Sequence, residues 1–209
     1  MTKSAENSNS LSVLPYQVLQ AQIKPGDVIT FSGVDIPSTV VKVATRSEYV
    51  HVAIVLSVEP VHPPQDSILI AESHVDTSLP SLGTGKPILG AQVQWLSQRM
   101  AASPGPAWWV ALKNPLTNTG MARMQTWLRK IEQEQTPYDF VQAIEAGIDG
   151  FVSIGIGTPT NDSALFCSEL VARALQIAGV LDECINPSQQ TPAELMQFSC
   201  FEPPILIKR

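Results

Sequence analysis

The sequence has no basic run interleaved with aromatics, no apolar stretch near the length of a membrane-spanning helix, and no CxxC pair. Each absence excludes something. A net charge of −6 with no basic cluster argues against nucleic acid or an anionic membrane as the main partner. Without roughly 20 consecutive apolar residues, stable membrane insertion is not expected. The three cysteines, Cys167, Cys184 and Cys200, are an odd number at spacings that suit neither a disulfide framework nor a zinc site, so no metal or cofactor is expected. The first ten residues are polar and lack the apolar core of a secretory signal. The expected location is therefore the cytoplasm, with injection as an effector the alternative. Charged residues are scarce at 15%, against 44% apolar, a globular balance.

The 209 residues suit one domain. Residues 1–12 read as a loose polar tail and residues 13–209 as the domain itself. Leu14 to Ile23 predicts a short helix, ended by the turn signal Lys24-Pro25-Gly26. Asp27 to Phe31 is a short β-rich run. Val50 to Val58 is nearly all apolar and predicts a strand buried on both faces. A loop with three prolines, Glu59 to Asp66, leads to a second strand over Ser67 to Glu72. Ala107 to Leu112 reads as a third. From Thr119 onward the period is helical: Met121, Met124, Leu128 and Ile131 recur three or four residues apart. Tyr138 to Ile148 is a second helix candidate, Gly150 to Asp162 a loop. Cys167 to Ala178 is a third helix, with Gly179 as its stop. Strands followed by helices suggest an α+β domain, with a central antiparallel sheet or small barrel packed against helices.

A thiol is a useful nucleophile only as thiolate, and a helix start beside an imidazole favours that form. Cys167 opens a helix directly after a polar loop and shares a helix face with Val171, Ala174 and Ala178, so it points towards the sheet. A free cysteine is ordinarily just a small buried apolar residue; its setting lifts Cys167 above Cys184 and Cys200. Of the three histidines only His51 lies within a strand pattern, since His62 falls in the proline-rich turn and His74 follows the second strand. A symmetric antiparallel register that pairs Ser57 with Asp66 also pairs His51 with Glu72. Their Cβ atoms would then lie ~4.5–5.5 Å apart on one face. A carboxylate there would accept the imidazole N–H and fix its tautomer, with Asp76 the alternative carboxylate. Tyr49 falls on the same strand face as His51 and is a candidate oxyanion donor or substrate contact, its plainer role being aromatic packing.

At these residues the chain resembles the circularly permuted branch of the NlpC/P60 superfamily of papain-like cysteine hydrolases, and within it the YiiX/YebB-like group. The resemblance is carried by Lys24-Pro25-Gly26-Asp27-Val28-Ile29, by Tyr49-Val50-His51-Val52-Ala53-Ile54-Val55, and by Ile70-Ala71-Glu72-Ser73. Pro137-Tyr138-Asp139-Phe140 and Phe166-Cys167-Ser168-Glu169-Leu170-Val171 complete it, the whole covering roughly residues 24–180. It implies a permuted papain-like fold with Cys167 as nucleophile, His51 as base and Glu72 orienting that base. Tyr138 and Asp139 would stand near the site, Tyr138 as a candidate substrate contact. Two stretches depart from the family pattern: the tryptophan-rich segment from Pro104 to Asn114 and the long glycine-rich loop from Gly147 to Thr160. The Asn-Cys-Glu-His nucleophile motif of lecithin–retinol acyltransferase-like proteins is replaced here by Phe166-Cys167-Ser168-Glu169, which favours the hydrolase branch.

The expected activity is that of an amidase, peptidase or thioesterase working through an acyl-enzyme on Cys167. Its substrate would be a small molecule, a peptide or a lipid amide. The rival readings are a transacylase, which passes the same acyl group to an amine or alcohol, and a silent binding module on the same fold.

Overall fold

The run from His51 to Val58 forms a strand because six of its eight residues are inaccessible from either side, which only a central position in a sheet allows. In the computed structural model, which describes residues 16–33, 42, 46–59, 67–136 and 167–209, this strand is β2. Its neighbours are β1 (Val28–Phe31) and β3 (Ile68–His74), with β4 (Gly90–Trp95), β5 (Ala107–Val110) and β6 (Ile205–Lys208) completing one sheet. The order across the sheet is β4-β3-β2-β1-β5-β6, with every pairing antiparallel. The described sheet is open: β4 and β6 are its two edges.

Among the described residues five α-helices accompany it: α1 (Tyr16–Leu19), α2 (Leu96–Ala102), α3 (Asn118–Gln133), α4 (Cys167–Ile177) and α5 (Pro192–Leu195). The architecture is thus α+β, an open six-stranded antiparallel sheet with helices. No described helix is long and apolar enough to cross a membrane.

The lead-in to β1 shows why its sequence is what it is. Gly26 takes φ +92°, and a Cβ there would lie 2.8 Å from Leu116. Asp27 is buried and accepts from the Lys24 and Leu112 backbone N–H groups and from Trp109 Nε1, each at 2.9 Å. Burial pushes its carboxyl upward, and those hydrogen bonds oppose the push. One carboxylate thereby ties the start of β1 to the end of β5.

The pleat divides the buried residues into two cores. Val52, Ile54 and Leu56 on β2 meet Met124, Leu128, Leu170, Val171 and Leu175 from α3 and α4 on one face. Ala53 and Val55 meet Ile29, Phe31, Ile68, Ile70, Leu96 and Met100 on the other. The stripe of α3 buries Met124, Leu128 and Ile131 as expected, with Met121 only partly buried, and the helix is capped by Thr117, whose side chain accepts from Gly120 N–H. Helix α4 stops at Gly179, which takes φ +78°.

Several expectations are revised. β3 runs two residues beyond Glu72, to His74. β4, α2 and β6 were not expected. Gln92 and Gln94, polar but buried, hide the alternation of β4, while β6 is a short terminal strand behind two prolines. The expected helix over Tyr138 to Ile148 and the loop over Gly150 to Asp162 lie outside the described residues, as do Asp139 and most of the proline-rich turn with His62.

The register of β2 and β3 also differs. Ile54 pairs with Ala71 and Val55 with Ile70, and a bulge between Val55 and Ser57 then pairs Ser57 with Leu69. The Leu56 carbonyl at that bulge accepts from Gln125 Nε2 of α3 at 2.9 Å. Continuing the inner register sets His51 across from His74, not Glu72.

Candidate active site

His51 opens β2 beside Phe31, its ladder partner on β1, and so its side chain begins on the face of the second core. Glu72, two residues along β3 from the position opposite His51, has its side chain on that same face. Such a diagonal neighbour lies within reach of long side chains. The imidazole Nε2 and Glu72 Oε2 are 2.7 Å apart. The orienting contact expected from the sequence therefore forms across the diagonal. A slip of two residues keeps the face, whereas a slip of one would have reversed it.

Cys167 is the first residue of α4. The body of that helix packs on the first core, opposite the face on which His51 starts, contrary to the expectation that helix and histidine share a face. The helix start nevertheless comes near enough to His51 for Cys167 to act on the imidazole. With Nε2 turned to Glu72, Nδ1 is the nitrogen left for the thiol. All three side chains are buried: Cys167 6% exposed, His51 9%, Glu72 0%.

Their charge states follow from their neighbours. Burial alone pushes the His51 imidazolium down, but the hydrogen bonds and charges of Cys167 and Glu72 prevail and hold it up at about 9. These neighbours favour the imidazolium over the neutral ring. Burial pushes the Glu72 carboxyl up, and this is outweighed by the Arg99 guanidinium and by the hydrogen bond and charge of His51, which bring it down to about 2.

Arg99 and His74, which sequence reasoning left without a role, and Asp76, the alternative carboxylate, complete the cluster. Arg99 on α2 is buried, with Nε 3.1 Å from the Glu72 carboxylate, Nη1 2.9 Å from Asp76 Oδ2 and Nη2 2.6 Å from His74 Nε2. The Asp76 backbone N–H donates to His74 Nδ1 at 2.7 Å. The His51 and His74 rings meet edge to face, 4.3 Å between centroids. His74 is driven down to about 3, first by burial and then by the positive charges of His51 and Arg99. The sequence signal for Arg99 was a basic residue on an apolar helical stripe, between Leu96 and Met100. Asp76, considered as an alternative to Glu72, pairs with Arg99 instead.

A cavity of about 230 Å³ adjoins the cluster, lined by Phe31, Ser32, His51, His74, Asp76 and Arg99 among others. Cys167 is not part of its lining. Tyr49 precedes β2, and its ring packs edge-on against Trp108, 5.2 Å between centroids, the plainer of the two roles considered for it. Tyr138 lies outside the described residues. Among the described residues no group of three or more His, Cys, Asp or Glu is placed to hold a metal ion.

No protein-family model matches the chain, and no curated protein does. Among solved structures it is similar to the crystal structure of metalloprotein YiiX from Escherichia coli O157:H7, at 18% identity and a TM-score of 0.47, covering 75% of this chain and 67% of that one. A match at that level establishes neither family nor activity.

Proposed function

We propose that this chain is a cysteine hydrolase of amidase, peptidase or thioesterase type on a circularly permuted papain-like (NlpC/P60) fold. The observation that carries the reading is the buried His51–Glu72 pair with Cys167 at the start of α4 beside it, neighbours that favour the charged imidazole. In this reading the partner of that imidazolium is the Cys167 thiolate, placed where the free N–H groups of α4 favour negative charge. The thiolate attacks a substrate carbonyl, and the oxyanion is met by the Cys167 backbone N–H and a second donor. His51 passes its proton to the leaving group, then takes one from the water that releases the acyl product. Glu72 holds the ring and balances its charge through both half-reactions.

The test is a panel of activated thioesters, esters and amides, with intact-protein mass spectrometry of quenched samples. A covalent acyl adduct that maps to Cys167, and is lost in Cys167→Ala, is expected. Turnover that survives in Cys167→Ala would overturn the assignment.

A further inference from the structure

Two imidazoles packed edge to face cannot both hold a proton without repelling one another, so this site must place its charge on one of them. β2 carries no titratable side chain besides His51. The decision falls to groups from the elements packed around it: Glu72 and His74 on β3, Asp76 in the loop beyond, Arg99 on α2 and Cys167 on α4. Gln92, opposite Glu72 on β4, brings no charge, and Glu48, next to the cavity-lining Ser32, is already paired with Lys42 and Ser32.

We infer that Arg99 is a positioning residue: its guanidinium fills the cationic place between the Glu72 and Asp76 carboxylates and against His74, so that His74 stays neutral and the mobile proton resides on His51. Each of its three nitrogens is directed to a different one of those partners. His74 therefore meets the guanidinium at Nε2 and a backbone N–H at Nδ1, so added charge on this ring is opposed from both sides. The guanidinium is itself fixed. It lies over the Phe31 ring, 5.9 Å from its centroid, and Lys208 Nζ donates to the Met100 and Ser103 carbonyls at the end of α2. Without that charge the Glu72 and Asp76 carboxylates, which both act on His74, would draw a proton onto it. Once protonated it would compete with His51 for Glu72, and the ring that faces Cys167 would lose the partner that orients it.

This inference rests on the Cys167–His51 reading for its catalytic meaning, but the two fail separately, because selective labelling of Cys167 reports on that reading and the protonation of His74 reports on this one. The experiment is an NMR titration of the imidazole C–H signals in the full chain, with His74 assigned by its loss in His74→Gln, comparing wild type, Arg99→Lys and Arg99→Met. Wild-type His74 should remain neutral down to at least pH ~5. In Arg99→Met its midpoint should rise measurably towards the ordinary ~6.5, while Arg99→Lys keeps the depression because it keeps the charge. A merely supporting role for Arg99 predicts no movement in a folded Arg99→Met protein, and that result would overturn the inference. Should Arg99→Met fail to fold, the wild-type titration still decides: a His74 that takes up its proton near 6.5 refutes the assignment.

Discussion

The two faces of the sheet bury comparable stretches of the same strands yet differ in kind. On the α3–α4 side β2 presents Val52, Ile54 and Leu56 to leucines, isoleucine and methionine, and β3 and β4 add Leu69, Ala71, Ala91 and Val93. On the other side Ala53, Val55, Ile68 and Ile70 form a similar floor, but towards the start of β2 it gives way to His51, Glu72, Gln92 and Arg99, all buried. A buried charge is costly unless paired. The first face needs no pairing and contributes stability by area and packing. The second keeps charged groups out of water only because they satisfy one another, which is the arrangement chemistry requires and stability alone does not.

The sharpest way to separate the faces is to remove the groups assigned to chemistry. Cys167→Ala or His51→Ala should lower turnover of an acyl substrate by roughly 10⁴-fold or more. Cys167→Ala should leave the melting temperature near wild type, whereas His51→Ala should lower it because the ring also pairs with buried Glu72. Glu72→Gln should cost less than either, because it orients rather than reacts; full activity would transfer the orienting role elsewhere. Leu128→Ala is the converse experiment. Truncating a side chain 1% exposed in the first core should cost ~2–5 kcal/mol in denaturant unfolding and leave the labelling rate of Cys167 nearly unchanged.

The smallest effect is on the pH dependence of stability. His74, held down to about 3, stays neutral when folded but binds a proton near 6.5 when unfolded. Its contribution is complete above 6.5 and is lost as pH falls towards 3. His51 runs the other way: held up to about 9, it stabilises fully below 6.5, and that contribution is lost as pH rises through about 9. His74→Gln should therefore flatten the acid slope of the melting temperature between those limits and spare the alkaline one. An unchanged acid slope would show that His74 is not held neutral.

The comparison also explains what could be read in advance. An unbroken apolar strand opened by a histidine, and a cysteine at the start of an amphipathic helix, are local patterns, so His51 and Cys167 stood out. Glu72 was found through an assumed register that is off by two residues, an even offset that preserves the face. The bulge between Val55 and Ser57, where the Leu56 carbonyl accepts from Gln125 of α3, has no signature in β2 itself. Arg99 was missed because α2 is short and follows a strand whose buried glutamines read as solvent-facing. His74 and Asp76 were in plain view, but their roles come from the guanidinium between them, a long-range contact that no window of sequence contains.

The proposal that Cys167 is the nucleophile, activated by His51, is tested most directly by the reactivity of the three thiols. Cys184 is exposed, and its thiol is pushed up by the neighbouring Asp182; Cys200 is half-buried and pushed up by that burial. Exposure alone ranks Cys184 first and Cys167 last. Brief alkylation with iodoacetamide near neutral pH, quantified per cysteine by peptide mass spectrometry, should find Cys167 modified fastest despite its burial. Labelling that follows exposure, with Cys184 ahead and Cys167 inert, would contradict the account.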